Sequence, residues 1–262
     1  MSKLRAFVMM SAILILMGLP TSVANSAALQ WPASALVACK AGNAVPGECD
    51  TRAARRQSIM LHIFEQYGIA VADRTAQWSV DEVASVQQSL ASITARLSAI
   101  TGRDAATTTK FLLQGAVFYR DNTSPDCIAY TLAGEVSVYD LWATYDQTGR
   151  TFYLAHEMGH LLDTRTSFQH LFMGEESDEF ARMVGAYTDE RGRYQLGGNF
   201  PRHGSSHDIR HRSDSAAEDW AESFATVMAP EFESNLRDIG VARQAEVKRH
   251  LGKWSDVQGH AH

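Results

Sequence analysis

The sequence predicts an α+β fold, mainly helical, with a small mixed sheet beside one short helix that carries histidines and an acid. Three observations predict it. Apolar residues recur at helical spacing in long stretches, as in Val83, Val86, Leu90, Ile93, Leu97 and Ile100. Three short runs between residues 116 and 139 are rich in β-formers, and the last of them alternates. The composition, 45% hydrophobic and 21% charged over 262 residues, is that of a chain able to bury one core. A net charge of -6 argues against a nucleic-acid partner.

The chain opens with Lys3 and Arg5 ahead of an apolar run at 6–19 that is too short and one-sided to span a bilayer. Pro20 ends the run, and small residues between Ala24 and Ala28 offer cleavage points. Residues 1–27 are therefore expected to be a signal peptide and 28–262 a single domain, secreted or periplasmic. No stable membrane insertion is expected after cleavage, and the oligomeric state has no signature. Export permits disulfides. Pro and Gly between Cys39 and Cys49 favour a bridge there and leave Cys127 as a free thiol, although spacing alone does not fix the pairing. Leu36-Val37-Ala38-Cys39 resembles a lipoprotein cleavage box, but Gln30, Trp31 and Pro32 separate it from the apolar run.

Residues 28–50 read as irregular. A helix is expected over 51–67, with Ile59, Ile63 and Tyr67 on one face and Gly68 as its stop, and a longer one over 79–100, closed by Gly102. Strands are expected at 116–119, 127–132 and 134–139. An edge strand next to the motif helix can hold an extended peptide by main-chain pairing, or be no more than a sheet edge. The motif helix is placed at 151–163, with Gly149 as an upstream breaker and Thr151 as N-cap. Another helix follows at 175–187. The stretch 189–213, rich in Gly, Arg and His, is expected to be a lid or binding loop. A helix at 214–228 turns Ala217, Ala221, Phe224 and Met228 to the core. The last, at 231–254, is charge-rich and reads as a solvated flank.

The motif helix carries His156-Glu157-Met158-Gly159-His160, the H-E-x-x-H pattern of a zinc hydrolase. Residues i and i+4 lie one above the other on a helix, so His156 and His160 can present two imidazoles to one Zn²⁺. Glu157 is one step round, beside the metal but off the ligand line, which suits a carboxylate that accepts a proton from a metal-activated water. Leu154, Met158, Leu161 and Leu162 form the opposite, core-facing side. Gly159 between the ligands costs helix propensity and lets a neighbouring segment come close.

A catalytic zinc needs a third protein ligand. The metzincin position for a third histidine is here Thr166, so a carboxylate is required. Glu218 and Glu222 are i and i+4 on one helix face: one can bind zinc while the other orients a ligand histidine. Read alone, both also suit a solvated helix surface. Glu179, with eighteen residues between it and His160, has the spacing of a gluzincin aminopeptidase ligand.

Together, His156-Glu-Met-Gly-His160-Leu-Leu-Asp163 and Glu218-Asp-Trp-Ala-Glu222-Ser-Phe-Ala resemble the catalytic domain of anthrax lethal factor and its relatives, including the Pro-Pro endopeptidases. The resemblance covers about residues 130–228. It implies a zincin-like metallopeptidase domain of gluzincin type, with Glu218 as third ligand and Glu222 as its support. Asp163 matches the family's Asp, in a supporting or helix-end role. The family often has a tyrosine seven residues ahead of the ligand glutamate, where it stabilises the transition-state oxygen. This chain has His211 there, whose imidazole can donate the same hydrogen bond. Tyr187 and Tyr194 are alternatives for that role.

The expected activity is zinc-dependent endopeptidase hydrolysis of a peptide or protein substrate, with His156, His160 and Glu218 as ligands and Glu157 as general base. Three other readings stay open: an inactive zincin-fold binding protein, an aminopeptidase using Glu179, and a zinc hydrolase acting on something other than peptides. An intact Glu157 argues against the first.

Overall fold

The computed structural model describes residues 46–122, 127–132, 134–169, 176–196, 215–232 and 239–258. The signal-peptide segment, Cys39, the side chain of Cys49, and His211 lie outside the described residues. The described elements run α1 (Pro46–Tyr67), β1 (Ala70–Asp73), α2 (Val80–Thr101), α3 (Ala105–Leu113), β2 (Val117–Arg120), β3 (Ala129–Leu132) and β4 (Glu135–Val138). They continue with α4 (Asp140–Ala143), α5 (Gln147–Gln169), α6 (Glu176–Met183), β5 (Tyr187–Thr188), β6 (Tyr194–Gln195), α7 (Ala216–Met228) and α8 (Gly240–Gln258). The expected mixture, mostly helix with a small mixed sheet, is what the chain forms.

The long helix α2 shows why local sequence suffices in places. The Ser79 hydroxyl accepts from the Glu82 amide while the Glu82 carboxylate accepts from the Ser79 amide, a capping box worth roughly 1 kcal/mol. Gly102 ends the helix in the left-handed region at φ 67°, where a side chain would be strained. Val83, Val86, Leu90, Ile93 and Leu97 between these caps are all buried.

The four-stranded sheet has the order β1-β2-β4-β3. β1, β2 and β4 are parallel, and β3 pairs antiparallel with β4 at the edge. β3 also packs against α5, so the edge strand lies beside the motif helix. Ala129 and Thr131 are half-buried, whereas Tyr130 and Leu132 stand 53% and 64% exposed on the other face. The strand β1 has no counterpart in the sequence reading, because Ala-Val-Ala-Asp is too short to show alternation; α3 was likewise not anticipated.

Four expectations need correction. The first helix begins at Pro46, inside a stretch read as irregular; proline's fixed φ suits a helix's first turn. The motif helix begins at Gln147, so Gly149 and Thr151 are interior residues. Asp146 provides the start instead, its carboxylate accepting from the Gly149 amide and the Thr148 hydroxyl. Gly149 is a packing residue: a Cβ there would lie 3.0 Å from the Tyr145 ring and 3.2 Å from Phe232. The helix read over 175–187 stops at Met183, and Tyr187 enters a two-stranded hairpin with β6. Finally, α8 is no solvated flank. Arg243, Val247, His250 and Leu251 are buried, because α8 packs on α2 and α7.

Candidate metal centre

The motif helix and α7 come close together at Gly159. A Cβ on Gly159 would lie 2.9 Å from the Ala221 Cα, so only glycine allows this approach without a shift of backbone. The Trp220 indole donates to the Gly159 carbonyl at 2.9 Å and locks the crossing. Met158, Leu161 and Leu162 bury on the far side of α5, as their spacing predicts. On α7, Phe224 and Met228 are core residues as expected, Ala221 is buried against Gly159, and Ala217 lines the cleft instead of the core.

This crossing places Glu218 over the two histidines. Ser215 caps α7 by accepting the Glu218 amide, which fixes that residue in the first turn. His156 Nε2 and His160 Nε2 are 3.1 Å apart. Glu218 Oε2 is 3.4 Å from His156 Nε2, and Oε1 is 3.4 Å from His160 Nε2. Ligand atoms about 2.0–2.1 Å from a tetrahedral zinc are separated by about 3.3 Å. Each imidazole nitrogen thus lies about one tetrahedral edge from the other and from one of the two Glu218 oxygens, and the number and chemistry of the donors suit zinc. They open on a cleft of about 450 Å³, also lined by Ala129, Tyr130 and Thr131 of the edge strand and by Glu157.

The electrostatics fit a cation. Burial disfavours charge on His156, but the Glu218 hydrogen bond and the negative charges of Glu222 and Glu157 outweigh it and raise the imidazole to about 9. Burial likewise pushes Glu218 up, but hydrogen bonds from His156 and His160 prevail and hold the carboxyl far below its ordinary range. Among the described residues, the ion contacts of His156, His160 and Glu218 are only with one another and with Glu222; no lysine or arginine joins them. Three carboxylates around two imidazoles leave room for positive charge that a proton, or a metal, supplies.

The other anticipated residues fall as follows. Glu222 is buried, its Oε1 3.7 Å from His156 Nδ1, close enough for an electrostatic hold though longer than a hydrogen bond. Asp163 accepts the Ser177 amide at 2.9 Å and so fastens the start of α6, a helix-end role. Glu179 points away from the histidines and pairs with Arg249 and Lys253 of α8. Tyr194 is committed elsewhere: its buried hydroxyl donates to Asp219 at 2.9 Å. Burial and the Asp219 charge push that phenol up. Tyr187 is 59% exposed on its hairpin. Cys127 is a free, half-buried thiol, raised by burial and by the charge of Glu157.

Two contacts near the cluster escaped the sequence reading. Thr131 donates to Glu157 Oε2 at 2.6 Å. Asp219, next to Glu218, is wholly buried and takes two 2.9 Å hydrogen bonds from Arg243, tying α7 to α8. Nothing local marks either pair, since each joins residues from separate elements.

The chain matches no known family and no curated protein in sequence comparison. The functional reading therefore rests on the residues and their geometry.

Proposed function

We propose that the protein is an exported zinc-dependent endopeptidase of the gluzincin type, similar in its two motifs to the lethal factor and Pro-Pro endopeptidase group. One observation carries the reading: His156, His160 and Glu218, from two helices, come within 4.8 Å of one another at a cleft, with Glu157 beside them. Zinc bound there supplies Lewis acidity toward a substrate carbonyl and toward a water. Glu157 accepts the proton from the attacking water and passes it to the leaving amine. Glu222 orients His156 from behind, which keeps Nε2 turned to the site. The open edge of β3 lies along the same cleft and suits an extended chain, which favours a peptide over a small substrate. His211 is the proposed donor to the developing oxyanion.

The test pairs metal content with cleavage. Full-length protein purified without chelator is expected to hold about one zinc per chain by elemental analysis. It should also cut members of a peptide library read by mass spectrometry. Chelation should stop cleavage, and zinc should restore it. Folded protein without zinc, never exposed to chelator, sinks the proposal. Zinc-loaded protein that binds peptides and cuts none moves it to the binding-protein reading.

A further inference from the structure

Glu157 is buried, and something must decide which of its two carboxylate oxygens faces the reaction. The described residues answer this with one side chain. Thr131 sits on the edge strand β3, half-buried against α5, while its neighbours Tyr130 and Leu132 are exposed. Its Oγ1 lies 2.6 Å from Glu157 Oε2 and 3.2 Å from the Glu157 main-chain oxygen. A hydroxyl has one proton to give. The shorter distance is that of an O–H donating to a carboxylate, so Oε2 receives it. Oε1 accepts no hydrogen bond among the described residues.

We propose that Thr131 is a positioning residue for the general base: its hydroxyl occupies Oε2 and fixes the Glu157 rotamer, leaving Oε1 as the atom that takes the proton from water and returns it to the amine. The inference rests on the endopeptidase reading. It also gives β3 a second task. The strand that lies along the substrate's cleft holds the base as well, so the base and an extended substrate share one frame of reference. A proton-transfer group displaced by about 1 Å can cost on the order of a hundredfold in rate. Among the described residues the Thr131 hydroxyl hydrogen-bonds to Glu157 and to none of His156, His160 and Glu218, so its loss should appear in turnover rather than in metal binding.

The experiment compares Thr131→Val, which keeps shape and β-branching without the hydroxyl, with Thr131→Ser, which keeps the hydroxyl. Thr131→Val is expected to lower kcat by roughly ten- to a hundredfold with KM and zinc content near wild type. Thr131→Ser should recover most of that loss. In a Glu157→Gln background, Thr131→Val should cost nothing further, because the two residues act as one unit. Crystal structures of the zinc-loaded wild type and Thr131→Val supply a readout independent of turnover: Glu157 should have one rotamer in the first and be displaced or multiple in the second. Wild-type enzyme that cuts peptides while Thr131→Val keeps its kcat, or keeps an unmoved Glu157, overturns the role of Thr131 alone. Wild-type protein that binds zinc and cuts nothing overturns the endopeptidase reading, and the catalytic role of Thr131 with it.

Discussion

The described residues hold two clusters of histidine and glutamate. In the first, His156, His160 and Glu218 come within 4.8 Å of one another; in the second, Glu176, Glu179 and His250 do the same. By residue type and proximity the two are alike. They differ in what surrounds them. The first opens on a cleft and, among the described residues, has no lysine or arginine among its ion contacts. The second is packed between α6 and α8, where Arg249 and Lys253 both pair with Glu179 and Arg249 also pairs with Glu246. His250 is wholly buried between Glu176 and Glu246, with its ring 5.3 Å from Trp220. Two cationic side chains already neutralise the second cluster, so a metal there would have to displace them. Carboxylates near a histidine are open to a metal where no other cation already pairs with them, and among the described residues that condition is met at the crossing of α5 and α7.

The largest effect that can sharpen the comparison is on turnover. Glu157→Gln keeps the size of the side chain but cannot accept a proton. It should lower kcat by about a hundred- to ten-thousandfold with zinc retained, as read by steady-state kinetics and elemental analysis. A variant that cuts at the wild-type rate removes Glu157 from the mechanism.

Metal content separates the clusters directly. Glu218→Ala should weaken zinc binding by more than the ten- to hundredfold typical of losing an outer partner, in chelator competition. Glu179→Ala should leave it unchanged. The reverse result would make the second cluster the metal site and undo the comparison.

Gly159→Ala tests the crossing that builds the first cluster. Alanine gains roughly 1 kcal/mol in helix propensity, and forcing its Cβ onto the Ala221 backbone costs about 1–3 kcal/mol. The melting temperature should therefore fall by only a few degrees. Zinc affinity should fall more clearly, because α7 must retreat with Glu218. Unchanged affinity would mean that the close contact does not set the donor spacing.

The smallest effect belongs to the second cluster. Hydrogen bonds from Lys253 and Arg249 outweigh burial and hold the Glu179 carboxyl at about 2, below its ordinary 4.5. A depressed folded-state value stabilises the fold above pH 4.5, and that gain is lost as the pH falls toward 2. Glu179→Gln should thus lower the folding stability slightly at pH 7, by about 0–1 kcal/mol after solvent screening, and converge with wild type near pH 2. A gap that persists in acid would assign the stabilisation to packing instead of charge.

The sequence by itself determined what local physics controls. The i, i+4 spacing put His156 and His160 on one helix face, and Gly159 between them marked a close approach. Ser79 and Gly102 bounded α2 to within a residue, because caps are made by neighbours in the chain. Local spacing also singled out Glu218 and Glu222 as a pair without saying what they face. Tertiary structure decided the rest. It chose the Glu218 carboxylate over that of Glu179 as the partner of His156 and His160, because the contact at Ala221 brings one to them and the cations of α8 claim the other. It buried Arg243 and His250 in a helix whose composition reads as solvated, since Asp219 of α7 and Glu176 of α6 come from two other elements to meet them. And it laid Thr131 against Glu157 across 26 residues of chain, a contact that exists only once β3 has joined the sheet edge beside α5.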